Sequence, residues 1–400
     1  MSTSSQWPGI SSRITSRQII VGDLNMHILE ALPPSNFTAP HRLVLLIHGF
    51  PELAYSWRKV IIPLADAGFH VIAPDQRGYG QTTTLDQFEA GVIRKVQYDD
   101  DLSPSRLINY VTDIVNLVFV LGYTSVHAVV GHDFGSPVAG NCALIRPDLF
   151  KSVVLMSAPQ AGGSTLNPDG SLPAKSLIEI ANGHLATFDP PRKHYTMYFS
   201  GREANEDITN PPGGLHAFLR AYYHSKSGSW PGNEPHPLPR ESLPATLAGL
   251  AKLPHYYVLP LSQTMPQCVL TEEYTDQIDK SKEWLSDEEL AIYVQEYGRT
   301  GFQGGLNQYR VMTSVMWSKE INLFAGKRIE VPAMFLSGKQ DWGIYQLPGV
   351  LEKMKGEFCV DMKDEDFVLV DGAGHWVQQE KPTEVVQHLL RFFTKPLENI

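Results

Sequence analysis

Cysteine is scarce in this chain: Cys142, Cys268 and Cys359 are odd in number and widely spaced. They provide no disulfide framework and no Cys-x-x-Cys pair for zinc, which fits a reducing compartment and leaves no metal site to expect. Charge is thin as well. Charged residues make up 19% of the 400 positions and hydrophobic ones 42%, where about a quarter charged is usual. Basic residues are outnumbered 33 to 43, for a net charge of −10, and that deficit excludes a nucleic-acid partner, which would need a basic face. No long apolar run is present either. The most hydrophobic helical stretch, Leu107 to Leu121, is interrupted by Asp113 and Asn116 and is too short and polar to span a bilayer. The N-terminal residues Met1-Ser-Thr-Ser-Ser-Gln-Trp-Pro8 lack the basic start and apolar core of a secretory signal. The expectation is a soluble cytoplasmic protein with no membrane partner. A homodimer is compatible with the sequence, which does not fix the oligomeric state.

What is present is an alternation of short β-type runs and amphipathic helices, the pattern of a mostly parallel sheet covered on both faces. Gln18–Val21 and Asn25–Leu29 read as opening strands. Leu43–Ile47 is unbroken and apolar, as a strand buried on both sides should be. A helix from about Leu53 to Ala67 is expected next, then a strand at His70–Pro74. Ser103-Pro104 reads as an N-cap with proline in the first turn of a helix that Gly122 closes. His127–Val130 and Ser152–Met156 are further strands, separated by a helix that ends before Pro147. The alternation then stops. Residues 160–325 are rich in Pro, Gly and aromatics without convincing strands, and read as a mainly helical lid inserted into a core formed by 1–159 and 326–400. Strands return at Pro332–Ser337 and Phe367–Val370, and a last helix spans about Pro382–Phe393.

Gly131-His-Asp133-Phe-Gly135 lies between a strand and a helix. Small residues two before and two after a central side chain allow the strained turn of a nucleophile elbow, which lifts that side chain over the sheet. Asp133 occupies the central place. Asp341 follows one later strand and His375 another, in the order nucleophile, acid, histidine that this scaffold uses. Each sits past the C-terminal end of its strand, where open α/β sheets place their sites. His48-Gly-Phe50-Pro51 follows the strand Leu43–Ile47, and the backbone N–H groups of Phe50 and Phe134 form a candidate oxyanion hole. Asp75 and Arg77 read as a structural ion pair, His127 and His132 as structural, and Cys142 as packed behind the elbow.

The identity of the central residue decides the chemistry. Serine needs a base to attack carbonyl carbon, whereas a carboxylate, with a reference pKa of about 3.9, is already ionised and can displace a leaving group at saturated carbon. The product is an alkyl ester of Asp133, which water activated by His375 can hydrolyse while Asp341 orients the imidazole. That favours opening an epoxide or expelling a halide over esterase chemistry. A halide needs N–H donors, typically a Trp just after the nucleophile or an Asn near the oxyanion turn, but Phe134 and Phe50 stand there. An epoxide oxygen needs a proton donor, and the inserted segment offers tyrosines.

His48-Gly-Phe-Pro-Glu52, Asp75-Gln-Arg-Gly-Tyr-Gly80, Gly131-His-Asp-Phe-Gly135 and Gly374-His-Trp376 together resemble the core motifs of the soluble epoxide hydrolases. His194-Tyr-Thr-Met-Tyr-Phe199 and Gly304-Gly-Leu-Asn-Gln-Tyr-Arg310 resemble that family's lid segments. The resemblance covers the chain from about Gln18 onward. It implies the α/β-hydrolase fold, with a mostly parallel eight-stranded sheet, helices on both faces and a helical lid. It also implies a reaction that needs water and an epoxide but no cofactor, with Tyr195 and Tyr309 as proton donors to the epoxide oxygen. Phe199 and Trp376 are implied near the substrate, and a cis bond before Pro51. Tyr198 is an adjacent competitor for the tyrosine role. The stretch from about Tyr222 to Met265 is longer and more Pro-rich than the family's usual lid. The alternatives left open are a haloalkane-type dehalogenase and a non-catalytic small-molecule receptor on the same fold.

Overall fold

The computed structural model describes residues 7–91, 95–162, 169, 171 and 173–395. The first six residues of the signal-sequence reading lie outside them. Eight strands form the main sheet: β1 (Thr15–Val21), β2 (Leu24–Ala31), β3 (Arg42–Ile47), β4 (Phe69–Pro74), β5 (Ala128–His132), β6 (Val153–Met156), β7 (Ala333–Gly338) and β8 (Phe367–Val370). Their order is β1-β2-β4-β3-β5-β6-β7-β8. β2 runs antiparallel to β1 and β4, and every other pair is parallel. A two-residue strand, Thr83–Thr84, pairs beside β2 as a ninth member. The expected mostly parallel, eight-stranded sheet is therefore present with one short addition.

Alternation of side chains along a strand sends neighbours to opposite faces, and in β3 both faces are buried. Leu43, Leu45 and Ile47 pack with Ile114, Leu117, Val138 and Cys142 from the helices Leu107–Val120 and Gly135–Ile145. Val44 and Leu46 pack with Ile61, Leu64, Leu389 and Phe393 from the helices Ile61–Asp66 and Pro382–Phe393. The chain places β4 on one side of β3 and β5 on the other, so strand order reverses between β3 and β5. That reversal opens a crevice at the carboxyl ends of the strands.

Several local expectations need correction. The helix expected over about Leu53–Ala67 is split into a 3₁₀ turn at Ala54–Trp57 and a helix at Ile61–Asp66. Pro63 has no N–H to give the carbonyl four residues back, so the helix restarts with the proline in its first turn. Ser103 does not cap the long helix. It belongs to a separate 3₁₀ turn, Ser103–Ser105, where its N–H donates to Asp101 (3.0 Å), and the helix begins at Leu107. Asp75 and Arg77 do not pair, because they leave the loop in different directions. Asp75 points inward and accepts from His27 Nδ1 (2.8 Å) and the N–H groups of Ala54 and Gln81. Arg77 reaches Asp23 and Asp113 instead, both at 2.7–2.9 Å. Between β6 and β7 the described residues are mainly helical but do contain a two-stranded antiparallel sheet, Arg192–His194 with Val258–Pro260. Three-residue strands so far apart in sequence leave no periodic signal to read. No helix among the described residues is long and apolar enough to cross a membrane.

Candidate active site

β3 and β5 are neighbours, so the loop after one and the elbow after the other meet. Asp133 has φ +51°, in the left-handed region that non-glycine residues rarely adopt. The turn is held by close backbone approach: a Cβ on Gly131 would lie 2.0 Å from the Gly135 carbonyl oxygen, and one on Gly135 would lie 2.2 Å from that of Ile47. With both positions bare, the Asp133 carboxylate rises over the sheet. Its Oδ1 accepts the Phe50 N–H at 2.9 Å. The Phe50–Pro51 bond is cis.

His375 and Asp341 come from the loops after β8 and β7, and both are buried. His375 Nδ1 donates to Asp341 Oδ2 at 3.0 Å. Asp341 also accepts from the Gly343 N–H (2.6 Å) and the Ser337 hydroxyl (3.1 Å). On the other side, His375 Nε2 lies 3.3 Å from Asp133 Oδ2, an ion-pair contact that leaves Nε2 without a hydrogen bond. Burial disfavours the imidazolium, but the flanking Asp341 and Asp133 carboxylates outweigh it and push His375 up to about 9. Burial likewise opposes ionisation of Asp133, yet His375, His132 and Lys226 hold its carboxyl below the usual range.

Facing this triad is an aromatic wall. Tyr195 begins the helix Tyr195–Phe199, and Tyr309 lies in Gln303–Thr313. Their rings are 5.9 Å apart. The Tyr309 ring is 4.5 Å from that of Phe134, 5.4 Å from Phe50 and 5.0 Å from Phe199. Burial, reinforced for both by the charge of Asp133, raises their phenol pKa values and keeps them protonated. Tyr198, the competitor, turns away and donates to Asp207 at 2.9 Å. Trp376 is fully buried, its ring 4.6 Å from that of His375 and its N–H donated to the Tyr223 carbonyl. It packs behind the imidazole. Phe134 opens the helix Gly135–Ile145, so its N–H is among the donors a helix start leaves without intrahelical partners. Beside it lies a crevice of about 250 Å³ whose lining includes Leu107, Tyr110, Pro137, Val311 and Met312.

Residues 42–189 match the family model for the alpha/beta hydrolase fold. Epoxide hydrolase A of Mycobacterium tuberculosis is 32% identical over 95% of this chain and 97% of its own. Epoxide hydrolase 3 of Siraitia grosvenorii is 29% identical over 88% and 92%. The chain belongs to the epoxide hydrolase family. Solved structures agree. An epoxide hydrolase from an endophytic Streptomyces superimposes with TM-score 0.71, 25% identity and 96% coverage of both chains. Epoxide hydrolase A of Mycobacterium thermoresistibile gives 0.69 at 29% identity, covering 95% of this chain and 98% of that one.

In this epoxide hydrolase family member the structure adds residues that sequence reasoning left out. Glu52, quoted only as part of a motif, is fully buried and accepts from His132 Nδ1 (2.6 Å), the Gly49 N–H (3.1 Å) and the Gln378 amide (2.8 Å). His132 Nε2 then meets the His375 carbonyl at 2.7 Å. One buried network thus spans the loop after β3, the elbow and the histidine loop. Glu380 accepts the N–H groups of Gly374 (3.0 Å), Trp376 (3.0 Å) and Gly228 (2.7 Å), and burial still pushes its carboxyl up to about 7. The elbow motif carried a hint of His132, but a lone Glu at Glu380 carries none.

The glycine packing is open to test. Gly135→Ala puts a methyl group against the backbone of β3, which cannot rotate away as a side chain could. Loss of roughly 1–3 kcal/mol in denaturant unfolding is expected, with turnover falling at least tenfold as Asp133 leaves the Phe50 N–H. Unchanged stability and turnover would show that the elbow tolerates a wider strand–helix separation.

Proposed function

We propose that this protein hydrolyses epoxides to vicinal diols through a covalent ester on Asp133. The observation that carries the reading is a half-buried carboxylate at the elbow, with its oxyanion donor and a His–Asp pair on one side and two protonated phenols facing it. Oδ1 is held by Phe50, which leaves Oδ2 to attack an oxirane carbon. The carbon–oxygen bond of the ring breaks, and the alkoxide takes a proton from Tyr195 or Tyr309. In the resting site His375 is an imidazolium between two carboxylates. Esterification removes the Asp133 charge, so the proton affinity of His375 falls; the imidazolium gives its proton back to the tyrosinate, and the neutral imidazole can then take a proton from water. The resulting hydroxide adds to the ester carbonyl, and the oxyanion formed is held by the Phe50 and Phe134 N–H groups. Collapse breaks the acyl carbon–oxygen bond and releases diol and carboxylate.

In this reading residues 160–325 act as a lid over a core of 1–159 and 326–400, and Phe199 borders the substrate. Phe50 and Phe134 supply no side-chain N–H for a departing halide, and the intact triad argues against a purely receptive role.

The order of steps gives the first test. His375→Gln should still react with styrene oxide but release almost no diol, and intact-mass spectrometry should find protein plus one epoxide, mapped to Asp133. Normal turnover by that variant would remove the mechanism. A second test addresses the phenols. General-acid assistance is typically worth about 10²–10⁴ in rate, and two donors on one oxygen are partly redundant. Tyr195→Phe or Tyr309→Phe alone should slow ester formation yet leave measurable turnover, whereas the double variant should lose nearly all of it while staying folded. Near-normal ester formation in the double variant would place the proton donor elsewhere.

A further inference from the structure

One buried cation enters the account above only through its pull on the Asp133 carboxyl. Lys226 follows the helix Leu215–Ser225 and is 4% exposed. Its backbone carbonyl accepts the His375 N–H at 2.8 Å, a contact that any residue could make. The side chain does something more specific. Its ammonium lies over the rings of Tyr257 (4.5 Å), Tyr222 (5.1 Å), Tyr195 (5.4 Å), Tyr256 (5.9 Å) and Trp376 (6.0 Å). Among the described residues no acceptor lies within hydrogen-bond or ion-pair reach of it.

Aromatic faces attract a cation, but they accept none of its three N–H bonds. The hydroxyls of Tyr222 and Tyr257 are themselves buried without partners. Buried polar groups are normally satisfied, so these two open hydroxyls beside the ammonium ask for a group that the protein does not itself supply. The cage adjoins the reaction centre. Tyr195 is one of the two facing phenols, and the Trp376 ring is 4.6 Å from His375. Burial pushes the ammonium down to about 8 against the pull of Asp133 and Asp341, so it is cationic at neutral pH. An anion entering a site that holds Asp133 and Asp341 would be repelled, and a buried cation offsets that repulsion.

We propose that Lys226, with the hydroxyls of Tyr222 and Tyr257, forms a subsite for a carboxylate carried next to the oxirane of the substrate. The subsite deepens the epoxide hydrolase reading and rests on it. The preferred substrates are then short epoxy acids rather than neutral epoxides of the same shape.

Phenylglycidate and its carboxamide, matched in size and differing in charge, make the comparison. A hydrogen bond to a charged partner is worth enough that Lys226→Met should lower kcat/KM for the carboxylate by ~10–100-fold, and for the carboxamide by a few-fold at most. Lys226→Arg should recover part of the difference. Equal losses on both substrates would overturn the subsite. A binding measurement on the unaltered protein needs neither a stable variant nor turnover: calorimetric titration should find unreactive phenylpropanoate at least ~10-fold tighter than phenylpropanamide, and equal affinities would also overturn it. Turnover of styrene oxide reads the hydrolase activity separately. Its absence counts against the reaction, while its presence without discrimination counts against the subsite alone.

Discussion

An ionised, half-buried carboxylate beside an aromatic wall is the constraint around which this molecule is arranged. Removing such a charge from water is costly unless it is paired and hydrogen-bonded. Asp133 has an imidazole 3.3 Å away and a backbone N–H at 2.9 Å. Both come from other strands, so the charge is tolerable only if the sheet keeps its order and spacing. Gly131 and Gly135 let the elbow close onto β3, and the strand reversal at β3 and β5 brings Phe50 alongside. Asp341, itself buried, holds the far side of the ring. Were any of these to loosen, the charge would lose the partners that offset its desolvation.

The helical segment is tied to this centre by its polar groups as well as by apolar packing. Tyr223 donates to the Pro51 carbonyl (2.7 Å) and Tyr297 to that of Glu52 (3.0 Å), so the oxyanion loop is braced from above. Lys226 and Gly228 clasp the loop bearing His375, one through its carbonyl and the other through the Glu380 carboxylate. With Glu52 and His132 joining the same loops from below, the placing of Asp133, Asp341 and His375 is over-determined.

Much of this was legible in the sequence, and the unreadable parts have physical reasons. Unbroken apolar runs such as Leu43–Ile47 announce buried strands. Asp133 is marked by glycines spaced for a tight turn, and Asp341 and His375 by their places after strands. Tyr195 and Tyr309 became visible through their flanking residues rather than through any property of tyrosine. The partners of Asp75 and Arg77 were misread because side-chain direction on a loop is a tertiary matter. Glu380 and Lys226 were missed for the same reason: each is one charged residue on an amphipathic segment, and only packing of the helical segment against the core shows that it is buried.

The covalent route makes one demand that direct hydration of the epoxide does not: the oxygen added to substrate comes from the protein. In a single turnover with excess enzyme in heavy-oxygen water, the first diol should carry almost no label, and the label should appear in the Asp133 carboxylate by peptide mass spectrometry. First-turnover diol that is fully labelled, with Asp133 unlabelled, would contradict the account.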